Sequence, residues 1–287
     1  ALSSSSQRKV VRTNNGHLHI VYESMGKLWY QKSVNNGSTW YAPKLISYPE
    51  QEIISKNPFL TFYDNTLYLV FESFDVNGGY GVIDLYSIDQ NGNITNLFPY
   101  PMISIEVESH PSVAVDEENI IIVFKETFSE PLKLIRGFYQ NGQWNFSDVI
   151  NVSNSTDLSC NPVIISGKSS PYNTAAPNRK YFHLVWEERE EPTRSELCYL
   201  TIEALSTRPE DLAFNNFDMI SRNSGYERNT SANLISVYDA SSYRDIIYVG
   251  WVGQREFYAV NGYDLIPNES RAVLWISSDR GRFHSYG

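Results

Sequence analysis

The chain has 287 residues, a formal net charge of −10 and a sequence pI near 5.0. This acidic balance argues against a nucleic-acid partner, whose phosphates require a basic face, and against adhesion to anionic lipid. No apolar run approaches the roughly 20 residues that a membrane-spanning helix needs.

Strand-forming residues dominate the composition. Hydrophobic residues make up 41% of the chain and aromatic residues 14%, with 20 Tyr among them. Long stretches with a 3.6-residue apolar period are scarce, and the one helix-tolerant segment is 207–216. We therefore predict an all-β protein, and its length suits a single domain over residues 1–287.

A strand pattern of the form apolar-x-apolar-Val-aromatic recurs along the chain. Its copies are 18–24 (LHIVYES), 67–73 (LYLVFES), 120–126 (IIIVFKE), 182–188 (FHLVWEE) and, more loosely, 247–253 (IYVGWVG). Another strand is expected before each copy, and three of these begin at Asn57-Pro58, His110-Pro111 and Asn161-Pro162. The same spacing in the first unit places Arg8 at the Asn position. Five copies predict five structural units.

Residues 33–40 form the clearest turn motif, Ser33-Val34-Asn35-Asn36-Gly37-Ser38-Thr39-Trp40. The side-chain carbonyl of Asn35 can accept hydrogen bonds from backbone N–H groups of its own turn. Gly37 can adopt a positive φ that a side chain would penalise. We expect Trp40 to return the chain to a sheet and to stabilise the turn by burying its ring.

A second copy of this motif lies near the C-terminus, where Ser277, Asp279, Gly281 and Phe283 occupy the matching positions. The two copies resemble the Asp-box, or BNR repeat, of sialidase-like β-propellers. The resemblance covers nearly the whole chain at the level of repeats. It implies a propeller in which the motif residues are structural and perform no chemistry: Ser33, Asn35, Gly37 and Trp40 in one copy, and Ser277, Asp279, Gly281 and Phe283 in the other.

The repeats and the resemblance together predict a five-bladed β-propeller with four antiparallel strands in each blade. The expected blades are 4–47, 48–104, 105–153, 154–221, and 222–287 with 1–3. Ser47 follows Trp40 by seven residues, and Ser3 would follow Phe283 by the same interval if the chain ends were joined. N- and C-terminal strands should therefore pair within one blade, which leaves no long open sheet edge. A six-bladed ring is the alternative.

The first strand of each unit should start at the mouth of the central channel. Alignment of these strands places Arg8, Asn57, His110, Asn161 and Ala232 there. We assign ligand binding to the first four of these residues and to Arg228. Alternative interpretations stay open, because Asn before Pro commonly satisfies its own turn and a lone His is commonly hydrogen-bonded scaffolding.

The acidic residues near this mouth fall into two groups. Glu23, Glu72 and Glu187 align across units, which favours a repeated structural role such as accepting hydrogen bonds from backbone N–H groups of the next loop. Glu108, Asp157 and Glu227 lie in loops that break the repeat and, with Tyr226, are the candidate catalytic residues. A glycosidase needs two carboxyl groups about 5 Å apart for retention or roughly 6.5–9.5 Å apart for inversion. Glu108 and Asp157 could supply such a pair.

Sialidases carry an aromatic-Arg-Ile-Pro sequence before the first inner strand, and its Arg clamps the substrate carboxylate. The matching stretch here is Gln7-Arg8-Lys9-Val10, which keeps the Arg and lacks the aromatic residue, the Ile and the Pro. The resemblance therefore implies the fold without implying sialidase activity. We expect a non-catalytic propeller that recognises a glycan or protein ligand, with a glycoside hydrolase as the alternative.

The remaining expectations concern ligands, location and assembly. Tyr48, Tyr226 and Trp251 could offer flat apolar faces to a sugar ring. No motif for a metal or a cofactor is present in the sequence, and we expect neither. Cys160 and Cys198 are assigned to strands that a middle strand separates, which disfavours a disulfide. The composition indicates a secreted or cell-surface protein, and we expect a monomer.

Overall fold

A computed structural model describes residues 8–50, 52–98, 103–106, 109–127, 130–152, 158–168, 180–191, 194–205, 211–221, 228–239, 244–255, 269–277 and 283–286. These residues form strands, turns and loops, and none of them lies in a helix. The described part of the chain accordingly contains no helical segment suited to crossing a membrane. The chain divides into two compact units, residues 1–154 with 208–210 and residues 155–207 with 211–287.

The first unit contains three antiparallel sheets. The first sheet has the order β1 (Val10–Arg12), β2 (Leu18–Ser24), β3 (Lys27–Ser33) and β4 (Lys44–Leu45). The second contains β5 (Ile53–Tyr63), β6 (Thr66–Asp75), β7 (Gly81–Ile88) and β8 (Ile94–Asn96), with β9 (Ser104–Ile105) paired to β7. The third contains β10 (Ser112–Val115), β11 (Asn119–Phe124), β12 (Lys133–Gln140) and β13 (Gln143–Phe146), with β14 (Ile150–Asn151) paired to β12.

The second unit contains two antiparallel strand groups. One group comprises β15 (Leu158–Gly167), β16 (Lys180–Glu191), β17 (Arg194–Ala204) and β18 (Leu212–Met219). The other comprises β19 (Arg228–Asp239), β20 (Arg244–Arg255), β21 (Glu269–Ser277) and β22 (Phe283–Tyr286). A single parallel bridge between Ser195 and Arg228 joins β17 to β19. The all-β prediction is confirmed for the described residues.

The recurring sequence pattern falls on the second strand of every group, namely β2, β6, β11, β16 and β20. Its Val positions lie in the core, since Val21, Val70, Val123 and Val185 are each 0% exposed. Two serines that follow the last strand of their group, Ser47 after β4 and Ser221 after β18, also repeat a contact. The Ser47 hydroxyl accepts from Leu28 N at 3.0 Å, and the Ser221 hydroxyl accepts from Leu197 N at 2.8 Å. The sequence repeats therefore correspond to repeated sheet structure.

The segment that tolerates a helix in sequence is extended instead. Its described part, 211–216, runs into β18, which pairs along β17 with Phe214 opposite Ile202 and Leu212 opposite Ala204. Antiparallel pairing with β17 outweighs the weak local helix propensity of this segment. Cys160 in β15 and Cys198 in β17 form no disulfide.

The turn after β3 has the predicted hydrogen bonds. Asn35 Oδ1 accepts from Thr39 N at 2.9 Å and from the Ser33 hydroxyl at 3.0 Å. Gly37 has a φ of +86°, and its N–H donates to the Ser33 hydroxyl at 2.9 Å. Within the second copy, Ser277 ends β21 and Phe283 begins β22, while Asp279 and Gly281 lie outside the described residues.

The prediction for Trp40 is wrong. Trp40 lies outside the strands and is 38% exposed, so its ring is not part of the core. Tyr41, the residue after Trp40, bonds back to β3 through its N–H, which donates to Lys32 O at 2.9 Å. The turn is therefore stabilised mainly by the Ser33 and Asn35 hydrogen bonds.

Substitutions in this turn should have moderate effects on stability. Asn35→Ala should lower the free energy of unfolding by roughly 1–2 kcal/mol, as the loss of a side-chain cap does. Trp40→Ala should cost no more than roughly 1–2 kcal/mol because the ring is partly hydrated in the folded state. Trp186, which is 0% exposed, is the matched control, and its change to Ala should cost roughly 3–5 kcal/mol. Urea denaturation would check all three values, and equal losses at Trp40 and Trp186 would contradict this description.

Candidate functional site

The residues before three prolines share an uncommon backbone conformation. Asn57, His110 and Asn161 have φ values of +54°, +49° and +51°. Positive φ is uncommon for residues other than Gly, although Asn and His adopt it more readily than most. In β5 and β15 the sheet register shifts at these positions, between Lys56 and Phe59 and between Cys160 and Val163. Such strain and bulges occur preferentially at functional sites, so we consider these strand starts first.

Two glutamates in the first unit hold these strand starts in place. Glu23 Oε1 accepts from Asn57 N at 3.1 Å, so a side chain of the first sheet binds the backbone of the second. Glu72 Oε1 accepts from Ser109 N at 2.8 Å and also from His110 N, which connects the second sheet to the third. The predicted structural role of these glutamates, as acceptors for backbone N–H groups of the next loop, is confirmed.

Side chains extend this network within the first unit. Asn57 Nδ2 donates to Glu72 Oε2 at 3.2 Å, and Lys9 Nζ pairs with Glu23 Oε1 at 3.2 Å. Glu72 is 0% exposed and Lys9 is 6% exposed, so the network lies largely away from solvent. The role of Lys9 was not predicted, although its position next to Arg8 at a strand start is the sequence feature that indicates it.

The second unit repeats part of this arrangement. Asn161 Nδ2 donates to Glu187 Oε1 at 3.0 Å, as Asn57 does to Glu72. Glu187 is 1% exposed, and the Cys160 thiol lies 3.7 Å from its other carboxylate oxygen. The Asn side chains therefore bind the neighbouring strand rather than their own turn.

Arg8 differs from the other residues at the strand starts. Its guanidinium lies over the Phe59 ring at 5.7 Å, and burial lowers its pKa below the ordinary arginine value. Among the described residues, the side chain has no hydrogen-bond or ion-pair partner, whereas the adjacent Lys9 pairs with Glu23. The N–H donors of this half-buried guanidinium have no acceptor among the described residues, so they are suited to bind an acceptor atom of a ligand. A carboxylate matches the two parallel N–H groups of the guanidinium.

The remaining predicted site residues are only partly visible. Glu108, Asp157, Tyr226 and Glu227 lie outside the described residues, and Arg228 is placed only by its backbone at the start of β19. Trp251 is 3% exposed, so the expected sugar-facing role for its ring is wrong. Tyr48 donates a hydrogen bond to Asp84 at 3.1 Å. Within the described ranges, no cluster of His, Cys, Asp and Glu is suited to a metal ion.

Comparison with known proteins places this arrangement in a fold class. No family model matches the chain, and no curated protein matches it in sequence. Solved structures do match. A GH43 endo-arabinanase from Bacillus licheniformis has a TM-score of 0.50 at 12% identity, over 96% of this chain and 96% of its own. The α-L-arabinanase of Penicillium chrysogenum, solved with arabinobiose, has a TM-score of 0.52 at 14% identity, over 95% and 77%.

A third structure extends beyond the matched region. The GH43 protein BlXynB from Bacillus licheniformis has a TM-score of 0.51 at 11% identity over 97% of this chain, which spans 54% of that protein. At 11–14% identity, these similarities establish the fold alone and do not define an activity. The chain therefore has a β-propeller fold of the kind found in glycoside hydrolases.

Proposed function

We propose that this chain is a carbohydrate-active β-propeller and, more specifically, a glycoside hydrolase. The observation that carries the proposal is the fold match along 95–97% of the chain to two GH43 proteins and to an arabinanase that was solved with arabinobiose. This match supports the hydrolase better than the recognition module that the sequence favoured. We include in the proposal a secreted or surface location and a monomeric state, which rest on the sequence alone.

The finer architecture is part of the same proposal. The three sheets of the first unit and the two strand groups of the second support five blades in one domain. Pairing of the N- and C-terminal strands in one blade follows from the spacing of the terminal motifs. The Asp-box assignment of residues 33–40 is supported by the Ser33 and Asn35 hydrogen bonds.

The scaffold contacts narrow the choice of catalytic groups. Glu72 accepts two backbone N–H groups and one side-chain amide, and Glu23 accepts a backbone N–H and pairs with Lys9. A carboxylate with these contacts is poorly suited to exchange a proton with substrate in each cycle. We therefore assign acid and base catalysis to the loop carboxylates Glu108, Asp157 and Glu227, with Tyr226 beside them. Arg8 would bind an acidic group of the ligand.

A non-catalytic recognition module is the second candidate. It is favoured by the side chains at the aligned strand starts, which are Arg8, Asn57, His110 and Asn161 and include no carboxylate. Arg8 would supply a cation to a glycan, whereas the Asn57 and Asn161 amides already donate to glutamates of their own sheets. The two candidates differ in one property, the turnover of a bound glycoside.

Carboxylate substitutions separate the two candidates. Glu108→Gln and Asp157→Asn should each lower turnover of a glycoside substrate by about 100-fold or more, because an amide keeps the shape but cannot transfer the proton. Affinity for the same glycan should stay within a few-fold of wild type. Glu106→Gln, in the same loop as Glu108 and exposed, is the matched control and should leave both quantities unchanged.

The measurements are release of reducing sugar from arabinan and xylan and of nitrophenol from arabinoside, xyloside and sialoside substrates, together with calorimetric binding. Turnover that survives both substitutions would remove Glu108 and Asp157 from the mechanism. Binding by wild-type protein without turnover on any substrate would replace the hydrolase by the recognition module.

A further inference from the structure

A cleft of about 360 Å³ lies at the outer part of the first sheet, between β3, the segment after it and the turn that precedes β8. Tyr41, Lys32, Lys44 and Asn91 are among the residues that line it. Its volume lies within the range of roughly 300–1,000 Å³ that small-ligand sites occupy. The cleft uses none of the residues assigned to the proposed hydrolase site.

Two adjacent aromatic rings are exposed beside this cleft. Tyr41 is 60% exposed and Trp40 is 38% exposed. Large exposed apolar surfaces are uncommon on soluble proteins unless they bind something, and Tyr and Trp rings combine a flat apolar face with a polar edge. Tyr41 also lines a smaller hollow together with Trp40, so this hollow and the cleft share the Tyr41 side chain.

The aromatic segment is fixed although it lies outside the strands. Tyr41 N donates to Lys32 O at 2.9 Å, and Gln31 Nε2 donates to Tyr41 O at 3.0 Å. Both backbone groups of Tyr41 are therefore bonded to β3. Because the Tyr41 backbone is already fixed, ligand binding costs little conformational entropy in this segment. A low entropy cost raises the affinity that a shallow site can reach.

Among the described residues, two lysines and no acidic residue line the cleft, although Asp89 begins the adjoining turn, where its carboxylate accepts hydrogen bonds from Asn91 N and Asn93 N. Lys32 Nζ donates to Gln90 O at 3.1 Å and Lys44 Nζ donates to Gly92 O at 2.7 Å, so both ammonium groups are held at the turn formed by residues 89–93. Within the described ranges neither lysine has a carboxylate partner, and no carboxylate lines the cleft. Each ammonium has three donors and uses one here, so donors remain for an anionic ligand.

We propose that this cleft is a second carbohydrate site, which binds an oligosaccharide that contains uronic acid residues. A sugar ring stacks on Tyr41, with Trp40 extending the apolar surface to the next residue of the chain. Lys32 and Lys44 pair with the sugar carboxylates, and the Asn91 amide bonds hydroxyl groups. The combination of aromatic rings with two lysines that have no carboxylate partner among the described residues distinguishes an acidic glycan from a neutral one. The site does not depend on the proposed hydrolase activity.

The test uses two probes with the same backbone, a de-esterified oligogalacturonide and its methyl ester. Binding is measured by calorimetry on the full chain carrying Arg8→Met, so that the strand-start site does not contribute a carboxylate contact. The variants added to this background are Tyr41→Ala, the pair Lys32→Gln with Lys44→Gln, and Lys44→Arg. Tyr80→Ala is the matched aromatic control, because Tyr80 is 66% exposed and does not line the cleft. A thermal melt verifies that each variant is folded.

We expect the acid to bind at least tenfold more tightly than the ester. Tyr41→Ala and the double lysine change should each weaken binding of the acid at least tenfold, whereas Lys44→Arg and Tyr80→Ala should leave it within threefold. Equal affinity for acid and ester, the same loss at Tyr80 as at Tyr41, or no measurable binding of the acid would each overturn the proposal. Loss of turnover on other glycosides has no bearing on this outcome, so failure of the proposed function is distinguishable from failure of this site.

Discussion

Glu72→Ala should lower the free energy of unfolding by roughly 3–5 kcal/mol, because each buried donor left without an acceptor costs about 1–3 kcal/mol. Three donors lose their partner: Ser109 N, His110 N and Asn57 Nδ2. Two of them belong to residues with positive φ, so the carboxylate also holds a strained backbone. Urea denaturation with tryptophan fluorescence would measure the loss.

The control for this substitution is Glu118→Ala, at an exposed turn position of the same unit. It should change stability by no more than about 0.5 kcal/mol, as surface changes usually do. The loss in free energy of unfolding for Glu72→Gln should lie between those for Glu72→Ala and Glu118→Ala, because the amide keeps one acceptor oxygen and places an NH2 group against the backbone donors. If Glu72→Ala unfolded at the urea concentration of the wild type, the carboxylate would not be a structural link between the sheets.

Arg8→Met should reduce affinity for a small glycoside with a carboxylate, such as a sialoside or a glucuronoside, by about 100-fold or more. The reason is that it removes a bidentate donor and leaves the ligand carboxylate without a charged partner, at a cost of about 1.5–3 kcal/mol or more. Met keeps an unbranched apolar stem against Phe59, so the packing under the guanidinium is largely retained. The measurement is calorimetric titration in a Tyr41→Ala background, which silences the second carbohydrate site.

Arg8→Lys is the informative companion to this variant. Lysine keeps the charge but lacks the planar fork, so an affinity between those of wild type and Arg8→Met would indicate bidentate recognition. Neutral glycosides should bind all three proteins alike. If Arg8→Met binds acidic glycosides as tightly as the wild type does, the Arg8 guanidinium does not bind the ligand carboxylate.

Local chemistry made much of the scaffold predictable. The recurring strand pattern predicted a strand in each unit with another strand before it, and the alignment of Glu23 with Glu72 predicted their contacts with the next loop. Asn35 and Gly37 were predictable because a turn is specified by residues close in sequence. These features depend on neighbours a few residues away or on the repeat itself.

Exposure of single aromatic rings was not predictable in the same way. Trp40 was expected in the core and is exposed, whereas Trp251 was expected to face a ligand and is buried. Both outcomes depend on strand pairing: Trp40 lies outside the strands, just before Tyr41 bonds back to β3, while Trp251 lies within β20 between two paired strands. Neither packing environment is encoded by adjacent residues.

The central claim, that this propeller acts on glycans, is tested most directly by measuring equilibrium binding and sugar release on one preparation of the wild-type protein. The probes are arabinan, xylan and acidic oligosaccharides. The proposal predicts binding to at least one of them together with release of sugar from it. Absence of both binding and release across the whole set would contradict a carbohydrate-active role for this fold.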